Sequence, residues 1–221
     1  MTSLTAHVSR SALAANAASA LSPGAVVDLR RDAWGHGLPL VADVLAAVGV
    51  RAALVDDAGC GIATAAGLTV TDAAPTVDGA VLFGLPGSGG EPVLRLSARV
   101  LSLKDLRRGE GVSYGYAHRA VADTRVALVD GGYGQGLPRA IGGAASVEVA
   151  AKLHPIVGRI AMDVCVVDIG DRDVHPGDDV VYFGGSGPAR DALATWSAAS
   201  GLGAAEIVCA IGLHVRREDA A

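Results

Sequence analysis

Six residues with four glycines, Gly131-Gly132-Tyr133-Gly134-Gln135-Gly136, constrain this chain more than any other stretch. Two apolar runs flank them, Val126-Ala127-Leu128-Val129 and Val164-Cys165-Val166-Val167. Short β-branched runs bounded by Gly and Asp read as strands. Glycine lets the backbone turn through positive φ and lets a second surface approach closely. A lone tyrosine on such a loop is presented to its surroundings rather than packed. The G-G-x-G-x-G spacing also fits a dinucleotide loop. It leads toward Pro138 and a further β-run instead of opening a long helix, which argues against that use.

Hydrophobic residues make up 51% of the 221, and aromatics only 4%, so the core must be built from Val, Leu, Ile and Ala. A net charge of −5 argues against nucleic acid or an anionic membrane as the default partner. No apolar run reaches the ~20 residues of a membrane span. Met1–Ser11 lacks the basic-then-apolar order of a secretory signal, so a cytoplasmic protein is expected. Cys60, Cys165 and Cys209 lie far apart without metal spacing and read as small, reduced, buried thiols; no metal site is expected. No Ser-His-Asp or Cys-His set has a recognisable spacing.

The first third reads as alternating helices and strands: a helix within Ser3–Leu21, strands at Ala25–Leu29, Val50–Val55, Leu68–Val70 and Ala80–Phe83, and helices at Pro39–Val48 and around Gly59–Ala66. Ser9 or Ser11 can cap the first helix. Such alternation predicts parallel βαβ packing. At Leu85–Pro92 the composition breaks into a linker. Beyond it, short strands recur with turn signals between them: Val93–Leu103, Gly111–Tyr116, Thr124–Val129, Ala144–Val149, Arg159–Ile169 and Asp179–Phe183. A helix at Pro188–Ser200 and a closing strand at Ala205–Val215 complete the pattern. The expected organisation is an α/β domain over residues 1–86, a linker over 87–92 and an all-β domain over 93–221.

Several motifs in the second part resemble one family. They are Gly111-Val112-Ser113-Tyr114-Gly115, Gly132-Tyr133-Gly134-Gln135-Gly136-Leu137-Pro138-Arg139, Pro155–Asp163, Pro176–Val180 and Glu206–Ile211. In this order they resemble alanine racemases, fold-type III pyridoxal-phosphate enzymes, over most of residues 93–217. In the first part Asp32-Ala33-Trp34-Gly35-His36-Gly37 resembles the family's D-A-Y-G-H-G after the first barrel strand, and Gly79–Gly84 resembles its last barrel strand. The resemblance implies a parallel α/β barrel followed by a C-terminal β-barrel domain, and pyridoxal-phosphate-dependent interconversion of L- and D-alanine. It implies that Tyr133 is the catalytic base given across a dimer interface. Met162 and Asp163 would lie near the substrate carboxylate, and Tyr114 and Arg139 near the mouth of the pocket. A tyrosine serves as a base only when a nearby cation brings its pKa down from ~10.

The departures are equally specific. The family's cofactor lysine falls at Arg30, whose guanidinium keeps its proton and cannot form a Schiff base. The family's cofactor tyrosine is Trp34 here. The only lysines, Lys104 and Lys152, match no cofactor position. Roughly ninety residues precede the second domain, whereas a (β/α)8 barrel takes ~200 or more. The expectation is therefore an open remnant of a parallel barrel, strands one to three beside the last one. Three functional readings follow: an alanine racemase by descent, impaired by Arg30; a non-enzymatic partner forming a homodimer or a heterodimer with a full-length racemase; or a small-anion-binding protein using Arg30 and Arg31 at a helix start.

Overall fold

A computed structural model describes residues 3–220. The first two residues of the Met1–Ser11 leader reading, and Ala221, lie outside the described residues. The chain divides into two units: residues 6–94 with 217–221, and residues 1–5 with 95–216.

The first unit begins with β1 (Thr5–Ser9) and α1 (Arg10–Ala20) where one helix is expected. Alternation of buried and half-buried side chains along Thr5–Ser9 supports the strand. Ser9 ends it and caps the helix, its Oγ accepting from the Ala12 N–H at 3.1 Å. Then come β2 (Val26–Asp28), α2 (Arg30–Trp34), α3 (Leu38–Ala47), β3 (Ala52–Leu54), α4 (Cys60–Ala65), β4 (Thr69–Val70) and α5 (Gly79–Leu82). β2, β3 and β4 form a parallel three-stranded sheet in that order, with Val26 opposite Ala52 and Ala53 opposite Val70. Helix α1 packs against α3 and α5 over buried Leu13, Ala17, Val41, Leu45 and Leu82.

The expected last strand at Ala80–Phe83 is a correction: α5 occupies it. Asp78 Oδ1 accepts from the Ala80 N–H at 2.8 Å, an N-cap that starts a helical turn. A four-residue apolar run does not by itself distinguish strand from helix. The parallel sheet therefore has three strands, without a fourth from this segment.

The second unit contains β5 (Leu94–Leu106), β6 (Gly111–Val112), β7 (His118–Arg119), β8 (Thr124–Asp130), β9 (Ser146–Val149), β10 (Lys152–Pro155), β11 (Val164–Asp168), β12 (Asp179–Phe183), α6 (Ala192–Ser200) and α7 (Ala204–Gly212). β13 (Arg216–Ala220) belongs mostly to the first unit, where it pairs with β1. Antiparallel pairing runs β10-β9-β12-β5-β8-β11. The Ile156–Val167 bridge and a 2.8 Å bond from the Val157 N–H to the Val166 carbonyl return the last strand to the first. This closes a six-stranded ring, which removes exposed edges within it. Inside lie Ala127, Val129, Val147, Cys165, Val167 and Tyr182, all buried. Trp196 of α6 seals the core, edge-on to Tyr182 and Phe183 at 5.9 and 5.2 Å.

Two further expectations are corrected here. Ala205–Val215 is not a strand: α7 fills it. Glu206 accepts from the Gly203 N–H at 2.6 Å, and Ile207, Val208 and Ile211 are buried at helical spacing. Gly111–Tyr116 is a strand only at its first two residues. Ser113 then takes φ 69° and Tyr114–Tyr116 forms a 3-10 turn.

Candidate functional site

The glycine loop leaves β8 at Asp130 and lies flat on the segment Ala161–Asp163. Backbone N–H groups of Gly131, Tyr133 and Gly134 donate to the carbonyls of Asp163, Ala161 and Met162 at 2.8, 3.0 and 2.8 Å. A Cβ on Gly132 would stand 2.3 Å from the Met162 oxygen and 2.4 Å from the Ala161 oxygen, so only glycine fits. Gly136 has φ +90° and abuts the Ala210 carbonyl of α7, which fixes the far end of the loop. Gln135 ties the loop to itself and its floor: Oε1 accepts from the Gly132 N–H at 2.9 Å, and Nε2 donates to Asp163 Oδ1 at 3.2 Å.

Beneath the loop a buried polar chain holds its start. The Tyr182 hydroxyl donates to the Asp130 carbonyl at 2.7 Å and lies 3.1 Å from Cys165 Sγ. Burial pushes the Cys165 thiol up to about 12 and Tyr182 well above the usual tyrosine range, so both stay protonated.

These constraints raise Tyr133 to the surface at 42% exposure, with the Arg139 guanidinium 5.3 Å from its ring centre. A cation over the ring face is attracted to it and limits its motion. Met162 is exposed beside the loop, and Asp163 is held by Gln135. Tyr114 stands on a separate exposed turn. That turn docks on the same segment as the glycine loop: Ser113 Oγ accepts from the Arg159 N–H at 3.2 Å. Residues 158–163 are thus a common floor for the turns that carry Tyr133 and Tyr114, and Met162 and Asp163 belong to that floor.

Arg30 and Trp34 lie in the other unit, on the turn after β2. Arg30 is exposed, and its guanidinium forks onto Asp28, with Nε to Oδ1 at 2.9 Å and Nη2 to Oδ2 at 2.7 Å. That fork, with a smaller contribution from the Trp34 side chain, holds the Asp28 carboxyl below its usual range, and Asp28 raises Arg30 in turn. The indole of Trp34 packs on Phe83, with ring centres 5.5 Å apart, and over Gly79. Asp28 carries no sequence motif. Its only signal was a carboxylate two residues before Arg30, since β2 ends at Asp28 and Arg30 lies on the turn beyond it.

From Arg31 to Trp34 the backbone is left-handed, with φ 55°, 56°, 53° and 54°. Non-glycine residues incur roughly 1–2 kcal/mol each in this region. The clamps are polar. Asp32 Oδ1 accepts from the Leu38 N–H at 2.7 Å, its other oxygen pairs with Arg217, and Asp56 accepts from the Arg31 N–H at 2.6 Å. His36 is buried, stacks on Phe83 at 4.2 Å and faces the Ala33 and Trp34 carbonyls with Nδ1. Nδ1 is therefore the protonated nitrogen. Burial depresses this imidazole to about 4, so it is neutral near pH 7.

One unit holds a closed antiparallel β-ring that carries the tyrosine loop, and the other a parallel three-stranded sheet with helices, so the class is an α/β unit together with an all-β unit. A profile of the family described as "Alanine racemase, C-terminal domain" matches residues 93–219. The chain belongs to the alanine racemase family. It is 42% identical over 134 residues to an alanine racemase of Thermobifida fusca, and 38% identical over 136 residues to one of Streptomyces coelicolor. Each stretch covers 61% of this chain but only 36% and 35% of those relatives. The fold is similar to the alanine racemase structure from Streptomyces coelicolor, with TM-score 0.79 and 20% identity over 98% of this chain and 97% of that one. It is also similar to the Bartonella henselae enzyme with covalently bound pyridoxal phosphate, with TM-score 0.81 and 16% identity over 100% of both chains. No single helix among the described residues is long and apolar enough to cross a membrane.

Proposed function

We propose that this alanine racemase relative does not by itself support pyridoxal-phosphate chemistry, and that it presents the Tyr133 face to a second racemase subunit. The first half rests chiefly on Arg30. A Schiff base needs a neutral amine. Arg30 offers a guanidinium, and that guanidinium is already forked onto Asp28. Trp34 replaces a phenol with an indole packed on Phe83. The residues after β2 therefore do not fit the cofactor as the family holds it. In this reading the α/β unit is an open remnant of the family's barrel, and the protein is a pseudoenzyme.

The second half is supported by the loop. Hydrogen bonds hold the loop that carries Tyr133, from the Tyr182 hydroxyl below to Gln135 beside it. Loops stay mobile unless such bonds tie them down. A presented tyrosine with Met162 and Arg139 around it suits a site completed by another chain, either a second copy or a full-length racemase.

The test is complementation. A full-length racemase with its own loop tyrosine changed to Phe is mixed with this chain. Turnover of L-alanine should return, and Tyr133→Phe in this chain should prevent it. Racemisation by this chain alone with pyridoxal phosphate overturns the first half. A monomer by light scattering that rescues nothing overturns the second. In parallel, the chain is incubated with pyridoxal phosphate, desalted and examined by absorbance. It should emerge colourless; a borohydride-fixed adduct on Lys104 or Lys152 would move the cofactor chemistry to a new lysine. The small-anion reading is weakened by Arg30, whose fork is already taken.

A further inference from the structure

A small cavity of about 180 Å³ lies on the sheet face formed by β5, β8 and β11, under the β6–β7 hairpin. Its walls are apolar: Val112, Val126, Leu128 and Val166. Register explains the set. Ser102 is opposite Leu128, which is opposite Val166, and Lys104 is opposite Val126, so all five side chains share one face. Val112 of β6 covers them, and the cavity adjoins the buried cluster of Leu106, Ala120, Val126, Val157 and Val166.

Lys104 is the one charged residue lining this cavity. Among the described residues its ammonium has no ion-pair or hydrogen-bond partner. The nearest carboxylate in register is Asp168, opposite Val126 on the far side from Lys104. Asp168 Oδ1 is already engaged by the Thr124 hydroxyl at 2.6 Å and the Gly170 N–H at 3.1 Å. An apolar floor with one unpaired cation at its rim, and the Ser102 hydroxyl two residues away on the same face, is complementary to an anion with an aliphatic tail. We infer that this cavity binds a short-chain aliphatic carboxylate, its tail against Leu128 and Val166 and its carboxylate between Lys104 and Ser102. The volume is below the roughly 300–1,000 Å³ of sites for drug-sized ligands, so the occupant is small. This site lies away from Tyr133 in sequence register and does not depend on the racemase reading.

The probe is sodium pentanoate, added to the ¹⁵N-labelled full chain while amide shifts are followed. Saturable shifts are expected at Val112, Leu128 and Val166. Acetate should bind at least about tenfold more weakly, since each buried methylene adds ~0.8 kcal/mol. Lys104→Gln, a change at an exposed residue that leaves the fold intact, should weaken pentanoate by about tenfold, the scale of one charge-assisted hydrogen bond. Pentylamine should leave these amides unshifted. Absence of saturation, equal binding of acetate and pentanoate, equal binding of the amine, or indifference to Lys104→Gln each overturns the proposal.

Discussion

Two turns in this molecule follow a strand and carry an aromatic residue, yet they are held by opposite means. The Tyr133 loop is fixed by backbone bonds to residues 161–163 and by glycines that permit close approach. The Arg30–Trp34 turn is fixed by charge: Asp28 on Arg30, Asp56 on Arg31, and Asp32 on Leu38 and Arg217. The first leaves its tyrosine exposed and chemically uncommitted. The second commits its carboxylates to arginines and backbone N–H groups and packs its aromatic on Phe83. Backbone conformation and side-chain chemistry are thus held by separable contacts.

The sharpest way to break the contrast is Gly132→Ala. Its Cβ would meet two carbonyl oxygens, so the loop must lift, with a loss of roughly 3–4 kcal/mol by denaturant unfolding. A loss below about 1 kcal/mol would mean the loop is looser than its hydrogen bonds indicate. Next is acid. His36 has its ordinary pKa in the unfolded chain and about 4 when folded. Above pH 6.5 neither state binds this proton. As pH falls from 6.5 toward 4 the unfolded state takes it up and the folded state resists, so stability declines by about 3 kcal/mol over that window and no further below it. His36→Phe should flatten that slope; an unchanged slope would clear His36 of responsibility.

Smaller effects sharpen the second turn. Asp32→Ala leaves the first N–H of α3 without its acceptor and should cost about 1–2 kcal/mol. Near-wild-type unfolding would show that the left-handed turn holds without this clamp. Arg30→Ala removes an ion pair that is exposed at Arg30 but only 12% exposed at Asp28, and should lower stability by no more than about 1 kcal/mol. A large drop would make Arg30 structural and would remove the ground for reading it as a chemical replacement.

Much of the second unit was legible because its strands alternate with clear turn residues; Asp179–Phe183 coincides with β12 in full. Two of the errors share a cause. Ala80–Phe83 and Ala205–Val215 are apolar runs whose period is ambiguous, and capping by Asp78 and Glu206 made them helices. β10 was missed because Lys152–Pro155 has few strand formers and is held by pairing with β9. Of the candidate residues, Tyr133, Met162 and Asp163 were singled out as motif residues, and the structure brings them together at the loop and its floor. Gln135 sat inside that motif without a role until its two bonds were visible.

The sequence by itself determined the presented tyrosine, the change of texture near residue 90 and, at position 30, a guanidinium that cannot form a Schiff base. Those follow from residue chemistry and local periodicity, which need no partner. Only the tertiary structure decided that Asp28 captures Arg30, that residues 158–163 floor both tyrosine turns, and that six strands close into a ring through Ile156 and Val167. Such facts depend on which distant segments meet, and contacts between distant segments leave no period in the chain.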